Sequence, residues 1–301
     1  MTVLRGATAL LVFPGLLYAV SAGFFMEWLQ RRLNARMQGR IGPPFYQPFF
    51  DVVKLVGKTS IPRAPLQGLV MTALPVASVV ATLGAVALLP VIPSTGGFAG
   101  DLVLLVALIE VGPLLAVIGG FASRSLWGGL GAAREATMTA AYNLPFLTAL
   151  VALAWGGDLS LGQLAVTAPW WVRVPALAAI LLCLPAKLHL NPFSVSSAEQ
   201  EVYTGVTTEY DGPRLALWEL SHGLEWVALT GLVAVLCLPV VELAAPWRVL
   251  VFLVLSVAVV VVLAVGAAST ARLKLAQTAR WFWLWGFLLA LSALGLALVV
   301  K

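Results

Sequence analysis

The chain is 301 residues long, 61% hydrophobic and only 10% charged, with 18 Lys and Arg against 13 Asp and Glu for a formal net charge of +5. Soluble domains run near roughly 45–50% apolar and about 25% charged, so this composition excludes a soluble globular enzyme. Two cysteines and two histidines, none at metal-ligand spacing, leave no means of holding a metal cluster within this chain.

Eight apolar stretches approach the roughly 20 residues that a helix needs to cross a bilayer. They are Ala7–Met26, Leu66–Leu89, Leu102–Phe121, Ala140–Trp155, Val174–Leu190, Gly223–Val241, Val249–Ala268 and Trp281–Val300, the fourth and fifth shortened or broken by Pro145, Pro175 and Pro185. Helices are the expected spanning form, because lipid offers no partner to a free backbone N–H or C=O. The first stretch is too long for a signal-peptide core and has no small-residue cleavage site before Glu27 and Trp28, so it reads as a span. The loops after the odd-numbered spans carry 13 Lys and Arg, whereas the N-terminus, the even loops and the C-terminus carry only Arg5, Arg173, Arg248 and Lys301. This asymmetry places the odd loops in the cytoplasm and both termini outside. The expected fold is an all-α polytopic membrane protein of about eight transmembrane helices, a single integral membrane domain over residues 1–301. Its surroundings are the lipid bilayer, and no nucleic-acid partner is expected.

The first cytoplasmic loop, Leu29–Ala64, holds Arg31, Arg32, Arg36, Arg40, Lys54, Lys58 and Arg63 against one acid, Asp51. Arg32, Arg36 and Arg40 recur every four residues, a like-charge spacing that destabilises an isolated helix by about 0.2–0.5 kcal/mol per pair and so asks for an anionic partner. Gly42-Pro43-Pro44 interrupts the helix. Beyond it, Gln47, Asp51, Lys54 and Lys58 share one face while Phe50, Val53, Leu55 and Val56 share the other. That is the pattern of an amphipathic helix in the membrane interface, ended by Pro62. Arg31, Arg32, Arg36, Arg40, Gln47, Asp51 and Lys54 are the candidate docking residues. A basic loop that merely touches anionic lipid is the plainer alternative.

Glu110 falls in the middle of the third span, where a charge costs about 2.5–3.5 kcal/mol even on the lenient insertion scale. It is expected to face other helices or water and is the leading candidate proton carrier. Lys187 and His189 lie toward the inner end of the fifth span, where Lys187 has the alternative of snorkelling to the surface. Glu27 and Glu242 lie near span ends and read as interfacial. Cys183 and Cys237 sit in apolar spans and read as core thiols. The third cytoplasmic loop, Asn191–Ser221, inverts the charge pattern: Glu199, Glu201, Glu209, Asp211 and Glu219 oppose Arg214 alone. Acids there gain nothing for orientation, which counts bases. Glu219, His222 and Glu225 then follow at successive i+3 steps on a helix rising into the sixth span. A carboxylate–imidazole–carboxylate series suits proton transfer, and equally a helix-end hydrogen-bond network.

These residues carry a resemblance. The run Arg31-Arg32-Leu33-Asn34-Ala35-Arg36-Met37-Gln38-Gly39-Arg40-Ile41-Gly42-Pro43, with Gln47-Pro48, Asp51 and Lys54-Leu55, resembles the first cytoplasmic loop of the respiratory complex I subunit 1 family. Asn191-Pro192-Phe193, Ala198-Glu199-Gln200-Glu201, Gly205 and Glu209-Tyr210 resemble its acidic loop, and Gly131–Pro145, with Arg134 and Tyr142-Asn143-Leu144-Pro145, its loop before the fourth span. Only Pro44-Phe45-Tyr46 separates Gly42-Pro43 from Gln47-Pro48. This short link, with the stretch from Arg214 to Trp226, is most similar to the membrane subunit of energy-converting nickel–iron hydrogenases of the formate hydrogenlyase type. The resemblance implies a non-catalytic subunit of a bacterial or archaeal cell membrane that docks peripheral hydrogenase large and small subunits. Those partners would carry the nickel–iron centre and the iron–sulfur clusters. Antiporter-like membrane subunits would flank the chain, and Glu110, Lys187, His189, Glu199, Glu201, Glu209, Asp211, Glu219, His222 and Glu225 would form its proton path. No cofactor is expected in the chain itself. The alternatives are a quinone-binding subunit of a complex I-type NADH:quinone oxidoreductase, and a purely structural anchor. Ser194 and Ser197 stand where the family usually has acids, Gln30 where complex I has Glu, and Thr59 where Glu is common.

Overall fold

A computed structural model of the chain describes residues 15–91, 99–157, 159–162, 164, 168–197, 199–238 and 245–299. The first half of the first expected span, Arg5, Glu242 and Lys301 lie outside that description, as do the side chains of Glu199, Gln200 and Ala245. The described residues form α1 (Leu16–Met37), α2 (Gln47–Val56), α3 (Pro65–Ala87), α4 (Asp101–Ala122), α5 (Leu126–Ala154), α6 (Trp170–Lys187) and α7 (Glu199–Val202). A 3-10 turn (Gly205–Thr207) leads to α8 (Gly212–Cys237), α9 (Ala245–Ser269), α10 (Leu275–Trp281), a π turn (Phe282–Gly286) and α11 (Phe287–Val299). No strand occurs among the described residues. Seven helical stretches are long and apolar enough to span: α3, α4, α5, α6, α8, α9 and the continuous α10–α11. The chain is an all-α polytopic membrane protein.

Two span starts differ from the sequence reading by more than ten residues. The fourth span begins at Leu126, not Ala140, and the sixth at Gly212, not Gly223. In both helices the early turns carry polar groups, Arg134 and Glu135 in α5 and Glu219 and His222 in α8, that point into protein. Hydropathy registers their polarity and misses their direction. Pro145 lies inside α5 and Pro175 and Pro185 inside α6 without ending either helix, since neighbouring helices satisfy the backbone groups that proline frees. In the first loop, α1 runs unbroken to Met37, so Arg31, Arg32 and Arg36 are helical while Arg40 lies in the turn beyond. The amphipathic α2 forms as expected, but it closes at Val56 with Gly57 as its cap, leaving Lys58 outside.

Burial shows which helix is central. The most apolar window of α8 is 78% buried, against 28% for α9 and for α10–α11. Around α8 pack α1, α3, α9 and α2, and α5 packs in turn on α4, α6 and α11. Outward residues such as Leu114, Val254, Val262 and Leu288 are exposed apolar groups, suited to lipid. Absent side chains allow the tightest crossings. A Cβ at Gly23 of α1 would stand 2.6 Å from the Gly223 carbonyl oxygen of α8, and one at Gly131 of α5 would stand 2.7 Å from the Gly205 Cα.

The odd loops meet at one end of the bundle. Arg63 donates to the Glu209 carbonyl. Gln67 Nε2 donates to the carbonyls of Ala122 (3.3 Å) and Ser123 (3.1 Å). The Leu273 N–H donates to Pro192 O at 2.9 Å, and Arg272 Nε to Ser194 Oγ at 3.2 Å. At the other end Asp101, 1% exposed, accepts the Leu161 N–H at 2.7 Å. Because the α1–α8 crossing has no room for a side chain, Gly23→Val should destabilise the protein by about 1–3 kcal/mol. Thermal unfolding in detergent is expected to show a lower midpoint for Gly23→Val and an unchanged one for Gly266→Val, whose Cβ would meet nothing within 4 Å.

Candidate functional site

At the odd-loop end a cavity of about 340 Å³ is walled by α1, α4, α5, α8 and the turn after α6. Its titratable lining comprises Glu27, Glu135, Glu219, Glu225, His189 and His222, with Gln30 and Arg31 at the α1 side. His189 Nδ1 lies 3.6 Å from Glu135 Oε2 and 3.0 Å from Ser196 Oγ. His222 Nδ1 lies 3.7 Å from Glu225 Oε2, one turn along α8. The two imidazoles face one another with ring centres 5.9 Å apart. Gly112 leaves room for Glu225: a Cβ there would stand 2.5 Å from Glu225 Oε1. Ser78 and Ser221 join by a 2.7 Å hydrogen bond behind this wall. Two histidine–carboxylate pairs thus lie side by side in one cavity.

Deeper in the bundle, Glu110 of α4, Asn143 of α5 and Lys187 of α6 close a triangle. Lys187 donates to Glu110 and, at 3.0 Å, to Asn143 Oδ1, while Asn143 Nδ2 donates to Glu110 Oε2 at 2.6 Å. The Lys187 side chain is 2% exposed and its Nζ lies over the rings of Tyr142 and Phe146, at 4.6 and 4.4 Å from their centres. The snorkelling alternative is therefore wrong: the ion pair holds the ammonium inside. The fully buried Tyr142 has its hydroxyl 3.1 Å from Thr139 Oγ1 and its ring beneath the Lys187 ammonium.

The acids of the inner loop are held apart from the cavity. Glu201 pairs with Arg134 at 2.5 Å and Glu209 with Arg63 at 3.6 Å. Asp211 accepts the Ile61 N–H and lies 3.9 Å from Arg214. The Glu199 side chain lies outside the described residues. Nearby, burial raises the Tyr210 phenol above its ordinary pKa, so it stays a neutral hydroxyl.

Of the basic residues expected to dock a partner, part are engaged internally. Arg31 lies 3.4 Å from Asp51 and 3.8 Å from Glu27, and Gln47 donates to Asp51 at 2.8 Å, tying α1 to α2. Arg32 donates to Pro43 O at 3.2 Å and stacks on Trp28. Arg36, Arg40 and Lys54 remain exposed. A second hollow of about 390 Å³ lies beside Arg31, Asn34 and Arg40.

Three members of the site escaped the sequence. Glu27 reads as interfacial from its position, yet it is 6% exposed and lines the cavity. Glu135, 3% exposed, lay in what reads as a loop before the fourth span. Asn143 was visible only as part of a motif. A stricter signal was present for Glu27: it lies four residues after Gly23, on the same face of α1.

Comparison with known proteins agrees with this architecture. A family model described as NADH dehydrogenase matches residues 9–299. The H subunit of NADH-quinone oxidoreductase from Thermomicrobium roseum is 32% identical over 247 residues, covering 71% of this chain and 72% of that protein. NADH-quinone oxidoreductase subunit 8 of Thermus thermophilus is 31% identical over 272 residues, covering 80% and 73%. Among solved structures, a chain of the membrane-bound sulfane sulfur reductase, an archaeal respiratory membrane complex, superposes with a TM-score of 0.83 at 25% identity, over 97% of this chain and 99% of that one. The chain belongs to the NADH dehydrogenase family, among the membrane subunits of complex I-like respiratory complexes.

Proposed function

We propose that this chain is the membrane-anchor and proton-path subunit of an energy-converting complex of hydrogenase type. The observation that carries the reading is the cavity in which four carboxylates and two imidazoles, drawn from separate helices, face one another. With the odd loops cytoplasmic, as the distribution of bases asks, that cavity lies where a peripheral redox arm would sit. Protons taken up there would pass between Glu135 and His189 and between Glu219, His222 and Glu225, as coupled sites that share protons. Tyr142 leads from them toward Glu110. When Glu110 takes a proton, Lys187 loses its counter-charge, so protonation is felt by α4, α5 and α6 together. Glu199, Glu201, Glu209 and Asp211 would lie at the junction with the peripheral arm, where Arg63, Arg134 and Arg214 fix the loop.

The docked partners on this reading are hydrogenase large and small subunits bearing nickel–iron and iron–sulfur centres, with antiporter-like subunits alongside in a bacterial or archaeal cell membrane. One feature favours that branch: the three-residue link between Pro43 and Gln47. A second reading, a quinone-binding subunit, is favoured by the names of the sequence relatives and by a cavity of small-molecule size with Trp218 and Trp226 in its wall. Solvent extraction of the purified complex decides between them. Stoichiometric quinone would establish the second reading, and its absence together with a co-purifying hydrogenase pair the first.

Removing one partner of a buried ion pair costs about 3–5 kcal/mol, whereas removing both is often neutral. Glu110→Gln alone should therefore lower stability, while Glu110→Gln with Lys187→Gln should assemble and lose ion translocation in proteoliposomes. Full translocation by the double variant would reduce the triangle to a structural clamp. Docking is tested at the exposed Arg36. Charge reversal, Arg36→Glu, should strip peripheral subunits from washed membranes while this chain still inserts, with the difference from wild type largest at low salt, where exposed charges are least screened.

A further inference from the structure

We infer that Glu27 is a proton-holding residue of the cavity, set against His222 by the Gly23–Gly223 crossing and balanced by Arg31. The inference rests on the proton-path reading above and adds a group that the sequence reading left at the interface. Glu27 is 6% exposed, and its Oε1 is buried without a hydrogen-bond partner. Its Oε2 lies 3.8 Å from Arg31 Nη2. Around it stand Arg31 of its own helix, Asp51 of α2 on the far side of Arg31, and Glu219 and His222 of α8, which line the same cavity; a Cβ at Gly223, next to His222, would stand 3.7 Å from Glu27 Oε1.

A buried carboxylate oxygen without a donor is costly while the group is charged. Two things relieve that cost: a nearby cation, or a proton. The cation here is divided, because Arg31 also lies 3.4 Å from Asp51 and its side chain is 42% exposed. The charge of Glu27 thus depends on where Arg31 turns and on whether the neighbouring imidazole holds its proton. Each proton that leaves His222 for Glu27 turns an imidazolium and a carboxylate into two neutral groups, and the reverse step restores both charges. α1 carries this acid into the cavity wall and, nine residues on, presents Arg36 at the docking face, so one rigid helix joins the two.

Gln30 provides the test. It lines the same cavity, three residues along the same helical face, so a carboxylate moved there stays in reach of the same space. The complex that co-purifies with this chain, reconstituted in proteoliposomes, is assayed for ions moved per electron pair across a pH series. Glu27→Gln is expected to assemble and to lower translocation by roughly 100-fold, the low end of what a positioned acid–base group contributes. Adding Gln30→Glu to that variant should restore most of the translocation, with a displaced pH profile. Wild-type translocation by Glu27→Gln overturns the inference if the Glu110→Gln/Lys187→Gln complex is impaired in the same assay. If both variants translocate normally, the proton-path reading itself fails. A Glu27→Gln complex that fails to assemble, or a Glu27→Met complex that translocates as well as wild type, makes Glu27 structural and also overturns the inference.

Discussion

A charge placed in hydrocarbon has to be answered by protein, and for the most deeply buried ammonium the answer comes from other helices. Lys187 of α6 is met by Glu110 of α4 and Asn143 of α5, and the rings of Tyr142 and Phe146 cover what remains of its ammonium. Three helices are thereby fixed against one another at one depth. Apolar side chains of similar volume hold helices together as well as a buried ion pair does, so packing alone gives no reason for these charges. The proton path proposed above would give one.

The same rule explains the loop that opposes the positive-inside pattern. Acids gain nothing for topology, yet residues 201–211 carry three, and each described one is met by a base or backbone donor from a different part of the chain. Arg134 comes from α5, Arg63 from the first loop and Arg214 from α8 itself. The acidic loop is therefore the complement of the basic ones. It pairs with Arg63, Arg134 and Arg214 at the odd-loop end of the bundle.

What could be read from the sequence divides along a physical line. Apolar length revealed the spans that lie within the described residues, and the Gly42-Pro43-Pro44 break with the two-faced pattern of residues 47–56 revealed the amphipathic helix. Glu110 and Lys187 stood out because no apolar span holds a charge without cause. Direction was not legible. Arg134 and Glu135 made the start of α5 look like a loop, since a polar residue turned inward and one turned to water have the same hydropathy. Glu27 was misplaced for the same reason. Position near a span end fixes depth and says nothing of the face, and here the face is set by the contact of α1 with α8. Arg32, Arg36 and Arg40 share a sequence period, but the helix ends at Met37, so the period outlasts the structure that gave it meaning.

The crossing of Gly23 and Gly223 has a consequence for how the protein can change. Two hydrogens where methyl groups would stand bring α1 and α8 into backbone contact. Glu27 lies one turn beyond the first glycine, and His222 adjoins the second. Any enlargement at either glycine pushes apart both the helices and the two titratable groups. On the proton-path reading proposed above, a wider separation would call for water between the two groups. Interhelical distance and proton transfer would then be a single variable, and a packing change far too small to unfold the bundle would be large enough to interrupt the transfer.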